Sequence, residues 1–147
     1  MRTLIVAAVI AACCGPVQAS DYVTVGGFSY HSERHRSNGK DWNEVNPGLG
    51  FERDLSESWT FTSGIYRNSF ARTTAFAGAS WEPIRLGPAK FGLMAAAASG
   101  YPSPVVGAIT ADLKLSNRID LTLLGAPVPG SNGGAVLATY ARIMLGK

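Results

Sequence analysis

His31 and Ser69 are the residues of this chain whose types and placement could support chemistry, namely proton removal during acyl transfer. A hydroxyl within hydrogen-bond reach of a neutral imidazole can lose its proton to the ring as a carbonyl is attacked. His31 closes the alternating run 22–31, and Asn68-Ser69 follows a second such run, 59–67. If every other strand of an antiparallel sheet runs the same way, both places fall on one rim. His, Asn and Ser are also ordinary rim and turn residues, so their meeting there does not by itself make a catalytic centre. His35 competes for the role of base. It lies within the charged segment Glu33-Arg34-His35-Arg36, a composition suited to solvent or to phosphate contact. The sequence contains no metal-ligand cluster, phosphate-cradling glycine loop or nucleophile elbow, and no cofactor is expected.

The elements that must carry these residues are short and alternating. Candidate strands are Tyr22–His31, Gly48–Leu55, Trp59–Arg67, Thr73–Pro83, Ala89–Gly100, Val105–Leu115, Arg118–Leu124 and Ala135–Leu145. Turn-forming segments rich in Ser, Asn, Gly and Pro separate them, with no helical periodicity between. Alternation is clearest in the sixth, where Val105, Gly107, Ile109, Ala111, Leu113 and Leu115 interleave with a more polar set. In the fourth, Ala75, Ala77, Ala79 and Trp81 face out, leaving Phe76, Gly78, Ser80 and Glu82 inside. An even number of antiparallel strands with an apolar outer face predicts an all-β, eight-stranded up-and-down transmembrane barrel in the outer membrane. Its longer and proline-rich connections then share the rim that carries His31.

Residues 1–19 predict a secretory leader: Arg2, an apolar run from Leu4 to Cys14, and the small-x-small site Val17-Gln18-Ala19 before Ser20. Ile10-Ala11-Ala12-Cys13 is a second candidate processing site, which would instead leave a lipidated Cys13. The leader is too short to span a bilayer as a helix. Both cysteines lie in it, so cleavage after Ala19 leaves a single domain, 20–147, with neither a disulfide nor a thiolate ligand. The net charge of +3 is spread along the chain, which argues against nucleic acid and suits an anionic lipid surface.

Placed by strand direction, the inward residues Glu52, Asp54, Glu82, Asp112, Lys114 and Asp120 gather at the end away from His31, where they can pair and plug the lumen. Gly50, Gly78, Ser80, Ala108 and Gly92 or its neighbours sit higher. Small residues there either leave a narrow pocket, wide enough for one acyl chain, or simply let opposite side chains pack. Pro102, Pro104, Pro127 and Pro129 each remove a ladder donor near that rim. They either open lateral gaps through which a lipid tail could pass or punctuate loops.

Several segments, in order and at similar spacing, resemble the lipid A palmitoyltransferase family. Asn43-Glu44-Val45-Asn46-Pro47-Gly48-Leu49-Gly50 is similar to the family's Asn-Glu-Arg-Pro-Trp-Gly-Gly-Gly. Gly64-Ile65-Tyr66-Arg67-Asn68-Ser69-Phe70 resembles its Gly-Leu-Tyr segment leading to Lys-Asp-Ser-Trp, and Ala77-Gly78-Ala79-Ser80-Trp81-Glu82 its Ala-Gly-Tyr-Gly-Trp-Glu. Tyr101-Pro102-Ser103-Pro104 and Tyr140-Ala141-Arg142-Ile143 are similar to Tyr-Ile-Pro-Leu-Pro and Trp-Met-Arg-Phe.

The resemblance implies a monomeric outer-membrane enzyme that moves an acyl chain from a phospholipid to lipid A or another hydroxylated lipid. It assigns the catalytic histidine to His31, the serine to Ser69 and the family's aspartate to Asn68, and it places Gly78, Ser80 and Tyr101 at the acyl-binding site. Two departures bear on function. Asn68 cannot carry the charge that stabilises an imidazolium, although it can orient a carbonyl or imidazole by hydrogen bonding. Ser80 stands where the family has the glycine that floors its pocket, which implies a chain shorter than palmitate. There is also no space between Ser20 and Tyr22 for the family's N-terminal amphipathic helix, and the last strand lacks a terminal aromatic. Two other readings stand beside this one: a non-catalytic outer-membrane barrel that binds lipid or is structural, and a soluble periplasmic barrel carrying a hydrophobic ligand.

Overall fold

Period-two alternation leaves every strand with two unlike faces, and closing the sheet on itself satisfies both faces and every edge at once. The computed structural model, which describes residues 19–128 and 134–146, adopts that solution. Eight strands follow one another around a closed antiparallel barrel: β1 (Asp21–His31), β2 (Gly48–Asp54), β3 (Trp59–Arg67), β4 (Thr73–Leu86), β5 (Ala89–Ala98), β6 (Val105–Lys114), β7 (Ile119–Pro127) and β8 (Ala135–Leu145). β8 pairs back onto β1. Among the described residues there is no helix. The proposed leader, with Cys13 and Cys14, lies outside the described residues apart from Ala19, and so does Pro129.

The limits of β3 and β8 match the sequence reading, β4 extends beyond it, and β7 starts one residue later and runs on to Pro127. β4 continues through Pro83 to Leu86 because a bulge between Trp81 and Ile84 absorbs the proline. The β4–β5 connection thereby shrinks to the turn Gly87-Pro88. The connections 32–47, 68–72 and 99–104 lie at the end carrying His31, here called the upper end, where β7 also ends and β8 begins.

Polarity is inverted relative to a water-soluble domain. The outer face carries Phe28, Leu49, Ile65, Leu93, Ile109 and Leu137, all well exposed. By the strand registers, the outward charges on the strands are Asp21 and Arg53, bonded to each other at the lower edge (2.6 and 2.7 Å), and Arg67 at the upper edge. The interior of the lower half is charged. Arg142, 1 % exposed, is ion-paired with Glu52 (2.6 Å), Asp54 (3.3 Å), Asp112 and Asp120 (3.8 Å), and lies over the Tyr22 ring at 4.2 Å. Thr62 and Tyr140 donate to Glu52, Thr122 to Asp112 and Thr110 to Glu82. The plug expected from the carboxylates is therefore present, and the cation at its centre is Arg142. Lys114, assigned to that plug from its parity, is instead exposed at the lower end and forms no ion pair among the described residues.

Candidate functional site

A one-residue insertion decides where His31 points. In the β1–β8 ladder Gly26 faces Tyr140 and Phe28 faces Thr139, so Gly27 is extra. Below it Tyr22 and Thr24 are inward; above it the parity flips, putting Phe28 and Tyr30 outside (63 % and 67 % exposed) and Ser29 and His31 inside. Only glycine fits the bulge, because a Cβ on Gly27 would lie 2.4 Å from the Thr139 carbonyl oxygen. Without the bulge His31 would share the outward parity of Val23 and Val25.

The imidazole forms one wall of an upper cavity of about 470 Å³. Thr24, Thr62, Met94 and Tyr140 are its deepest lining residues, directly above the plug; Ala96, Ala98, Ala126 and Ala138 line its flanks. Ser69 and Tyr101 also line it. Two of the three residues assigned as catalytic, and one of the three assigned to substrate, thus share one cavity.

Loop 32–47 folds down onto the upper rim and completes the site. Ser29 N donates to Glu44 O and Asn46 N to Gly27 O (both 2.9 Å), while Asn43 N donates to Ser69 O at 3.0 Å. These bonds lay Trp42 across the mouth, stacked on His31 with ring centroids 4.5 Å apart and planes 3° from parallel. Ring contacts continue from Trp42 to Phe70 (5.4 Å) and from Phe70 to Tyr101 (5.8 Å); the Tyr101 hydroxyl meets that of Tyr66 at 2.6 Å. The mouth has an aromatic collar running from β1 to the β5–β6 connection.

Glu44 supplies a carboxylate that sequence reasoning did not assign. Its Oε1 lies 3.9 Å from His31 Nδ1 and accepts a 3.4 Å bond from His31 N. Nδ1 itself is buried with no hydrogen-bond partner, so a modest movement of the half-exposed Glu44 side chain would complete an imidazole–carboxylate pair.

Asn68 corrects the sequence reading. It is fully buried (0 % exposed), and its amide is spent on closing the β3–β4 connection. Nδ2 donates to Thr74 Oγ1 (2.9 Å) and to Gly100 O (3.2 Å), and Oδ1 accepts from Phe70 N (2.9 Å) and Arg72 N (3.0 Å). It orients neither His31 nor a carbonyl in the cavity; it holds the turn that presents Ser69. Asn68→Asp is expected to lower stability by about 1–3 kcal/mol, because the carboxylate has no proton for the Gly100 carbonyl. Urea unfolding measures this, and an unchanged midpoint would show the amide donors to be dispensable.

Gly78 and Ser80 also depart from expectation. Both point inward as read, yet neither lines the cavity. Ala96 fills the space beside Gly78, where a Cβ would come within 2.6 Å of the alanine's own Cβ. Ser80 lies opposite Met94 in the β4–β5 register, and it is Met94 that reaches the cavity. Sequence parity separates inside from outside, but it does not say which partner of an inward pair extends far enough to line the cavity.

The cavity also opens sideways. The β6–β7 ladder stops at Ile109–Gly125, leaving residues 105–108 of β6 and 126–127 of β7 without rungs between them. Pro127 has no N–H to extend it. Val105, Gly107 and Pro127, whose parity is outward, line the cavity at this gap, as the outward Phe28, Leu49 and Ile65 do on the β1–β3 side, where the β1–β2 ladder stops at Val25–Leu49. One of the gaps foreseen from the prolines is therefore formed.

No family model and no curated protein matches the chain. Among solved structures it is similar to the solution NMR structure of a de novo designed protein, TMB2.3, with a TM-score of 0.56 and 10 % identity, covering 88 % of this chain and 94 % of that one. At that identity the likeness shows the fold alone.

Proposed function

We propose that the chain is an outer-membrane barrel that accepts an acyl chain into its upper cavity and transfers it from a phospholipid to lipid A or another hydroxylated lipid. The observation that carries this reading is the apolar cavity itself, open both at the mouth and between β6 and β7, with His31 and Ser69 on its wall. The inverted polarity supports membrane insertion: an apolar exterior suits hydrocarbon, and closure pairs the strand edges without water. The floor of Thr24, Thr62, Met94 and Tyr140 over a charged plug suits a ligand arriving from above or from the side, not a through-channel.

In this reading the tail enters through the β6–β7 gap and its ester carbonyl stops near the collar. His31 takes the proton of the acceptor hydroxyl as the new C–O bond forms. The bond between the acyl carbon and the glycerol oxygen then breaks, and that oxygen recovers the proton from the imidazolium. Ser69 donates a hydrogen bond to the developing oxyanion, and Glu44 stabilises the imidazolium in the part that Asn68 does not fill.

Mass spectra of lipid A from cells with and without the protein test the reading. A new acylated species is expected; none, at confirmed surface expression, would favour the non-catalytic lipid-binding barrel, a reading that the Trp42 ring covering His31 also fits. Recovery of the protein without detergent would oppose membrane insertion. The floor gives a separate prediction: Met94→Ala should shift the preferred donor chain to a longer one, whereas Ser80→Gly should leave it unchanged. Competing phospholipids of mixed chain length read this directly, and the reverse pattern would return the floor to Ser80.

A further inference from the structure

At the mouth of the cavity lies a cation that forms no ion pair among the described residues. Arg36 sits in a small hairpin within loop 32–47, where Arg36 N donates to Lys40 O and Gly39 N donates to Arg36 O, both at 2.8 Å. His35 and Asp41 close its neck through a 2.6 Å contact. The guanidinium extends over the rings of Trp42 (5.7 Å) and Phe70 (5.6 Å), two residues that line the cavity. Its Nε is buried and has no hydrogen-bond partner, and among the described residues no carboxylate lies within ion-pair distance of it. The nearby acids are engaged elsewhere, Asp41 with His35 and Glu44 with the backbone of His31.

A planar guanidinium held against two ring faces keeps its N–H fork free for a bidentate anion, and phosphate matches that fork. The upper-end segments 31–47 and 67–72 carry five Lys and Arg against three Asp and Glu, so the field over the mouth favours the same charge. Below this cation the cavity wall is largely aliphatic and aromatic and contains no Lys or Arg. Charge at the mouth and apolar depth beneath it describe an amphiphile with its head at Arg36 and its tail inside.

We propose that Arg36, seated on Trp42 and Phe70, is the headgroup ligand of this site and binds the phosphate of the lipid whose acyl chain fills the cavity. The inference rests on the cavity taking an acyl chain, and the test separates the two. Refolded protein in nonionic amphipol, with Trp59 and Trp81 replaced by Phe, reports binding through the fluorescence of Trp42. The probes are dodecyl phosphate, dodecanol and inorganic phosphate. Dodecyl phosphate should bind about tenfold or more tightly than dodecanol, the scale of one charge-assisted pair. Arg36→Met should remove that advantage while leaving dodecanol affinity unchanged, and Arg36→Lys should retain part of it.

Equal loss of both dodecyl ligands in Arg36→Met would mean a disrupted mouth; with Arg36→Lys also lacking the phosphate preference, the assignment would be overturned. An undiminished preference for dodecyl phosphate in Arg36→Met would overturn it too, with the acyl cavity intact. Failure of both dodecyl ligands to bind the unsubstituted mouth would remove the acyl cavity itself. Inorganic phosphate binding as tightly as dodecyl phosphate would point to a free anion and overturn the lipid assignment.

Discussion

Arg142→Met should destabilise the barrel by about 3–5 kcal/mol, the scale of stripping one partner from a buried ionic cluster. Methionine replaces most of the arginine's aliphatic stem, so packing beside Tyr22 is largely kept and the lost charge dominates. Glu52, Asp54, Asp112 and Asp120 would then face one another without the cation that lies 2.6–3.8 Å from Glu52, Asp54 and Asp120. The hydroxyls of Thr62, Thr122 and Tyr140 stay in place but cannot neutralise charge. Adding Glu52→Gln and Asp112→Asn to Arg142→Met should restore part of the loss, since amides leave fewer unpaired charges behind. Arg142→Lys should fall between, because one ammonium cannot serve carboxylates on β2, β6 and β7 at once. Urea unfolding followed by the mobility of unheated samples on gels measures all three. Equal midpoints for Arg142→Met and the unsubstituted chain would mean that the cluster does not hold the lower half together.

His31→Phe should reduce acyl transfer by about 10²–10⁴-fold, the usual contribution of a positioned base, while leaving the mouth assembled. Phenylalanine preserves the ring that stacks on Trp42 and fills the same buried place, but has no nitrogen to accept a proton. Dodecanol binding should be unchanged in this variant, which separates loss of chemistry from loss of the cavity. His35 cannot substitute without rearrangement, because its ring is exposed, bonded to Asp41, and absent from the cavity wall. Retained transfer in His31→Phe would move the base elsewhere and leave His31 as a packing residue.

Most of the architecture was readable from period-two alternation. Val105 to Leu115 states its own inner and outer faces, and turn residues fall between all eight strands. The plug was legible because carboxylates at inward parity must find partners. Its centre was missed: Arg142 has inward parity on β8, between Tyr140 and Met144, and a cation at that parity among many inward acids was an available signal. The site was less legible for a physical reason. Parity does not say how far an inward side chain reaches: Ser80 and Met94 face each other across β4 and β5, and the longer Met94 is the one that lines the cavity. The Gly26-Gly27 pair was an unused signal of the bulge, and it carries no sign of the effect on His31. Trp42, Glu44 and Arg36 reach the mouth through backbone bonds from loop 32–47 to β1 and the β3–β4 connection, contacts that no local pattern encodes. Asn68 shows the opposite limit, since matching a motif position did not reveal that its amide was already committed.

The most direct test of an acyl-transferring cavity uses purified, refolded protein mixed with one phospholipid of defined chains and with lipid A. The product is then weighed by mass spectrometry. The account predicts a lipid A species heavier by one donor acyl group, with an equal amount of lysophospholipid, and both products lowered by about 10²–10⁴-fold with the His31→Phe protein. Unmodified lipid A from a correctly folded, dodecanol-binding barrel would contradict it.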